Sequence, residues 1–289
     1  MRIKMKLKLG LLLLAVLLPN FTLIAAATTD PLVMGIFPRR NPIQTNQMFG
    51  PLADYLRSKL GRRVILSIPN SFQAFWESVQ KREYDIVHYN QYHYVKSHME
   101  NAYDVIVMNV EFGEPTIAGA IIVRKDSGIN NVTDLKGKKI IFGGGPDAMQ
   151  SYIVASYLLQ QNGLNKDDYE KAFAKNPPNA IMSTYFNQSA AAGSGDKILQ
   201  LDVVKKQIDI NEMRYLVVGE QLPHLPWAVK RELPAGVKEK IQKTLLGLQH
   251  NGSGKTVLKS MHLDRLASAK DSDYDKSRKI IKETLGENY

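Results

Sequence analysis

The sequence predicts an α/β protein of two lobes, each a sheet flanked by helices. Three observations predict it. Short apolar runs alternate with stretches of helical periodicity along most of the chain, and that alternating series starts twice, near residue 31 and again near residue 132. No cysteine occurs among the 289 residues, so stability must come from buried apolar surface. About 260 residues remain after the leader described below, enough for two lobes at roughly 100–200 residues per domain.

The elements follow in order. PLVMGIF, residues 31–37, is an apolar strand that stops at Pro38. In NQMFGPLADYLRSKLG the apolar residues Met48, Leu52, Tyr55, Leu56 and Leu60 recur at helical spacing, and Gly61 ends the helix. RVILSIP is the next strand, and Ser71 caps the amphipathic helix FQAFWESVQKRE. YDIVHYN reads as a buried strand, QYHYVKSHME as a helix and YDVIVMNVEF as a further strand. TIAGAIIVRKDSG is long and apolar, as expected of a strand passing between lobes.

The second series opens with VTDLKGKKIIFGGG: short helix, strand, loop. A helix follows from about Asp147 to Asn162. Between residues 163 and 213, NPPNA and SAAAGSGDK break any long period. MRYLVVGE is again a strand, LPHLPWAVKRELP is held extended by its prolines, and three helices close the chain. The chain therefore crosses between lobes near Glu111–Thr116 and returns near Met213–Gly219. One lobe takes residues 28–114 and 215–289 and the other 115–214, with a hinge at the two crossings and a cleft between them.

The first 27 residues read as a cleaved secretory leader. Arg2, Lys4, Lys6 and Lys8 precede an apolar run, and Ala25-Ala26-Ala27 supplies small residues for cleavage. Leu9 to Leu18 is too short to span a bilayer. The expected destination is the periplasm. Absence of cysteine excludes a lipoprotein anchor, thiolate metal sites and a cysteine nucleophile. The formal charge of +10 falls to +6 without the leader's four basic residues, and acids are interleaved with what remains. No basic stripe with stacking aromatics occurs, so no nucleic-acid partner is expected. G-x-S-x-G is absent and no carboxylate pair stands out, so no catalytic activity is expected.

GGGPDAM, residues 143–149, lies between a strand and a helix, where backbone N–H groups and the helix dipole favour an anion. GIFP, FGPLADYL, YDIVHYNQYHYV, AGAIIVRKDSGINNVTDLKGKKIIF, PWAVKRELP and DSDYDKSRKI, in that order, resemble the phosphate/phosphite/phosphonate-type periplasmic solute-binding proteins of ABC importers. The resemblance runs from about Val33 to Ile281. It implies a type II periplasmic binding protein: two mixed sheets flanked by helices, closing by a two-crossing hinge on one small anionic ligand. It implies an ABC permease as partner, no cofactor and a monomer. The same fold could instead present its ligand to a membrane sensor.

In that family a hydroxyl-bearing loop at a helix N-terminus meets the ligand. Its trio falls here on Ala148, Met149 and Gln150, and the glycine that follows becomes Ser151. Where the family often carries a histidine ahead of a helix, Pro178 stands, followed by Asn179; an acid of the family is replaced by Ala191. On the first lobe the resemblance points to Phe37, Arg39, His88, Tyr89 and Asn90. Arg39 suits bidentate pairing with an oxyanion and equally suits a solvated loop. The expected ligand is a small oxyanion or carboxylate with an apolar part, because donor hydroxyls are replaced by a methyl and a thioether.

Two further patterns stand out in the sequence. His88, His93 and His98 with Met149 suggest copper, but a spacing of five does not put ligands on one helical face, and no metal site is expected. NGSGKT, residues 251–256, lacks the first glycine and the preceding strand of a P-loop, and reads as a helix end followed by a helix start.

Overall fold

The computed structural model describes residues 30–38 and 42–289. The leader expected at 1–27 and the candidate Arg39 lie outside the described residues. In chain order the first part comprises β1 (Leu32–Ile36), α1 (Pro42–Leu60), β2 (Val64–Ser67), α2 (Phe72–Gln80), β3 (Ile86–His88), α3 (Gln91–Asn101) and β4 (Tyr103–Val110). The chain then passes through β5 (Thr116–Ile117) into β6 (Gly119–Arg124) and β7 (Lys139–Gly143). A π-helical turn, Met149–Val154, leads directly into α4 (Ala155–Gln161). Next come β8 (Glu170–Ala174), α5 (Pro177–Tyr185), β9 (Ala191–Gly195), α6 (Asp202–Lys205) and β10 (Met213–Val218). The return runs through β11 (Leu222–Pro223) to β12 (Pro226–Lys230), α7 (Ala235–Leu246), α8 (Gly252–Met261), β13 (Arg265–Ser268) and α9 (Asp275–Leu285).

These strands build two mixed sheets. The first has the order β13-β4-β12-β3-β1-β2 and the second β10-β6-β9-β7-β8. Pairing is parallel among β1, β2 and β3 and among β7, β8 and β9, where helices carry the chain across. The strands on either side of the two crossings, β12 and β6, pair antiparallel with their neighbours. β13 was not anticipated, since RLAS has neither length nor alternation; its edge pairing with β4 imposes the strand.

TIAGAIIVR is two strands, not one. Thr116–Ile117 pair with Leu222–Pro223 in a separate two-stranded ribbon, and Gly119 begins the second sheet. Tyr215–Val218, which the boundary at 214/215 assigns to the first lobe, pair with β6 in the second sheet. The return crossing therefore falls at 219–225, later than Met213–Gly219.

Several local readings match the structure. The Ser71 hydroxyl accepts from the Ala74 N–H at 3.1 Å and caps α2. Asn251 does the same for α8, accepting from Gly254 N–H at 2.8 Å, which makes NGSGKT a helix start. Apolar side chains fill both faces of each sheet. One cluster crosses between the lobes, joining Phe75, Tyr92 and Tyr274 to Met149, Ile153, Val154 and Leu158. α9 packs against α3 on one side and against the π-helical turn and α4 on the other.

Candidate functional site

β3 ends at His88, the chain turns at Tyr89, and Asn90 caps α3. The Asn90 side-chain oxygen accepts from the His93 N–H at 2.9 Å, satisfying one open donor of the first turn. Its amide nitrogen reaches the other lobe and donates to the Asp147 carbonyl at 3.0 Å. The loop after β7 and the end of β3 are thus in contact.

The loop is shaped by close packing. Gly144 lies at φ +109°, outside the range of an ordinary L residue. The turn of Met149–Val154 presses onto β9 so closely that a Cβ on Gly193 would stand 2.3 Å from the Ser151 carbonyl. Ala148 occupies the N-cap position and supplies no side-chain acceptor. The first N–H groups of this turn therefore keep their donors open, as helix N-termini do when uncapped. Such π-turns recur at functional sites because the wider ring displaces backbone groups from their usual partners.

Gln150 stands in this turn. It is 8% exposed, and neither its amide nitrogen nor its amide oxygen has a hydrogen-bond partner. Leaving such a group unsatisfied costs about 1–3 kcal/mol. Gln91 at the start of α3 donates to the Pro223 carbonyl at 2.8 Å, while its own side-chain oxygen is buried without a partner.

The remaining candidates are placed as follows. Phe37 packs its ring against Phe72, Phe75 and His88, and its N–H donates to the His88 carbonyl at 3.1 Å. His88 stacks on Trp227 at 4.3 Å, with Nδ1 at 3.1 Å from the Pro226 carbonyl. Tyr89, also expected at the site, belongs to the buried cluster that crosses between the lobes. It is fully buried, its hydroxyl lies 2.7 Å from Ser97 Oγ, and burial pushes that hydroxyl well above its usual range. Met149 is 1% exposed and belongs to the cluster between the lobes. Ser151 is buried beside it. Asn179 lies in the first turn of α5, where its N–H donates to the Asn176 cap. That helix starts hard against the loop, since a Cβ on Gly143 would meet Pro177 at 2.3 Å.

Two further residues join this site: His93, considered from sequence only as a copper ligand, and Asp147, which was not picked out. His93 Nε2 lies 3.0 Å from Asp147 Oδ2, with the imidazole almost sealed. Phe72, Phe75, Trp76 and Tyr92 surround its ring, and Nδ1 is buried without a partner. Burial alone would raise the Asp147 carboxyl, but the hydrogen bond and charge of His93 outweigh it and hold the carboxyl below the usual carboxylate range. The signal available in sequence was the spacing Asn90-x-x-His93, a cap and its third residue.

The histidines do not converge. His98 lies 2.8 Å from the Tyr103 carbonyl and beside Asp104 and Asp271. Among the described residues, no group of three or more His, Cys, Asp or Glu side chains could hold a metal ion.

Comparison with known proteins gives a consistent picture. Residues 34–274 match the family model described as ABC transporter, phosphonate, periplasmic substrate-binding protein. The phosphonates-binding periplasmic protein of Escherichia coli strain K12 is 21% identical over 233 residues, covering 78% of this chain and 69% of that protein. Among solved structures, PhnD1 from Prochlorococcus marinus in complex with methylphosphonate superposes with a TM-score of 0.76 at 15% identity, over 88% of this chain and 97% of that one. A binding-protein component of an ABC phosphonate transporter from Pseudomonas aeruginosa gives 0.75 at 14% identity, over 89% and 87%. The two structural likenesses are likenesses of fold.

Proposed function

The chain belongs to the periplasmic substrate-binding proteins of phosphonate ABC transporters, and on that premise we propose that it captures one small oxyanion between its lobes for an inner-membrane permease. The observation that carries this reading is the uncapped π-helical turn holding Gln150, a buried amide with both atoms unpartnered. A helix N-terminus with open donors favours negative charge. Asn90 and His93 bring the other lobe to the same loop. The β5–β11 ribbon is the hinge of this reading, with the leader at 1–27 directing export to the periplasm. A ligand would favour closure only insofar as it touches both lobes.

Gln150 narrows the ligand. Its amide both donates and accepts, so it suits an oxyanion that still carries one proton, such as a hydrogen phosphonate. A sulfonate, fully ionised, would satisfy the nitrogen and leave the oxygen orphaned. At about 1–3 kcal/mol for an unsatisfied buried group, that discriminates roughly 5- to 150-fold.

Titration calorimetry with methylphosphonate, phosphate, methanesulfonate and acetate tests the reading. Methylphosphonate or phosphate should bind with the larger affinity. Equal binding of methanesulfonate would remove the role given to Gln150, and no heat with any of the four would remove the oxyanion reading.

A further inference from the structure

Asp147 precedes the uncapped turn by two residues. A carboxylate this close to an uncapped first turn can fold toward its open N–H groups as a partner of the helix dipole. Here it does not. Beyond its own backbone N–H, the carboxylate is engaged by His93 from the other lobe, Nε2 to Oδ2 at 3.0 Å. His93 cannot swing away, because Phe72, Phe75, Trp76 and Tyr92 wall its ring and Asn90 holds its backbone N–H.

We propose that His93 is a positioning residue that draws the Asp147 carboxylate off the ligand turn when the lobes meet. When they part, Asp147 folds back onto the turn and competes with the ligand for the same N–H groups. The inference rests on the oxyanion reading above and adds its regulation: the chain carries its own competing anion, and closure removes it.

The magnitudes fit such a role. A tethered group reaches an effective concentration on the order of millimolar, far above a micromolar ligand. Yet a side-chain cap on a helix is worth only about two- to thirty-fold in an equilibrium constant. Competition of that size tunes an affinity without abolishing it. Among the described residues, Asp147 is the carboxylate paired with His93. α2 presents aromatic rings. On α3, Tyr92 donates its hydroxyl to Glu287, and the Lys96 ammonium sits over Trp76, Tyr92 and Tyr289.

The test is a double-mutant cycle with methylphosphonate as probe, on the mature chain. His93→Phe should weaken binding about two- to thirty-fold. Asp147→Ala should bind at least as well as the unmodified protein, and adding it to His93→Phe should restore affinity. His93→Gln, which keeps a donor, should lie near the unmodified protein; His93→Leu replaces His93→Phe if the larger ring is not accommodated. If the double variant stays as weak as His93→Phe, or if Asp147→Ala alone abolishes binding, the proposal fails. A second measurement needs no ligand, and separates this failure from that of the oxyanion reading. In His93→Phe, the amide resonances of Met149, Gln150 and Ser151 should shift as Asp147 titrates. If they stay still, the carboxylate never reaches the turn and the proposal is overturned.

Discussion

The Asn90 side-chain amide is shared between its own helix and the opposite lobe, with Oδ1 on the His93 N–H at 2.9 Å and Nδ2 on the Asp147 carbonyl at 3.0 Å. The two halves of the amide can be tested apart. Asn90→Ala loses both bonds and should cost about 1–2 kcal/mol from the cap, together with ligand affinity. Asn90→Asp keeps the cap acceptor and loses the donor to Asp147. It should melt close to the unmodified protein while binding methylphosphonate more weakly. If Asn90→Asp binds methylphosphonate as tightly as the unmodified protein, by titration, the bond across the lobes contributes nothing.

Gln150→Leu should separate stability from binding. Removing an unsatisfied buried amide for an apolar side chain of similar size should stabilise the ligand-free protein by about 1 kcal/mol, roughly 2–4 °C in a domain-sized protein. The same change should lower methylphosphonate affinity at least fivefold, the low end of the discrimination given to the amide. A variant that melts lower and binds unchanged would make Gln150 a packing residue.

Gly193→Ala addresses the placement of the turn. An added methyl would stand 2.3 Å from the Ser151 carbonyl and 2.5 Å from the Phe142 ring, so the turn must move. Overpacking of this kind costs about 1–3 kcal/mol. Thermal melting should show that loss, and titration should show binding impaired beyond it.

How much of this was legible in advance follows from the range of each interaction. Ser71, Asn251 and the alternation of strands with helices could be read, because caps and periodicity act within a few residues. The Asp147–His93 pair could not, since the two residues lie far apart in sequence and meet only through the tertiary fold. The burial of Tyr89 was hidden for a related reason. Its place after a strand end suggested the cleft, and only the packing of α3 shows its hydroxyl beside Ser97. The stretch Met149–Val154 reads as plain helix in sequence; its close approach to Gly193 is a tertiary contact that local propensity does not carry.

Asp147 also sets an expectation for pH. Its folded value is depressed, so its contribution is complete above the unfolded carboxyl value of about 3.9 and is lost as pH falls through the folded one. As pH falls below about 4, the melting temperature of the unmodified protein should fall more steeply than that of Asp147→Asn. Parallel curves, recorded by circular dichroism, would show that the His93 pairing does not stabilise the folded chain.

The packing of Trp76 against His93, with ring centroids 5.3 Å apart, makes the protein its own optical instrument. The chain has two tryptophans. Trp227 is sealed in the first sheet, stacked on His88 and donating to Asn109 at 2.9 Å. Trp76 is the one whose surroundings change if His93 and Asp147 part. A Trp227→Phe variant would leave a single emitter beside that contact, so lobe motion could be followed in real time without a label.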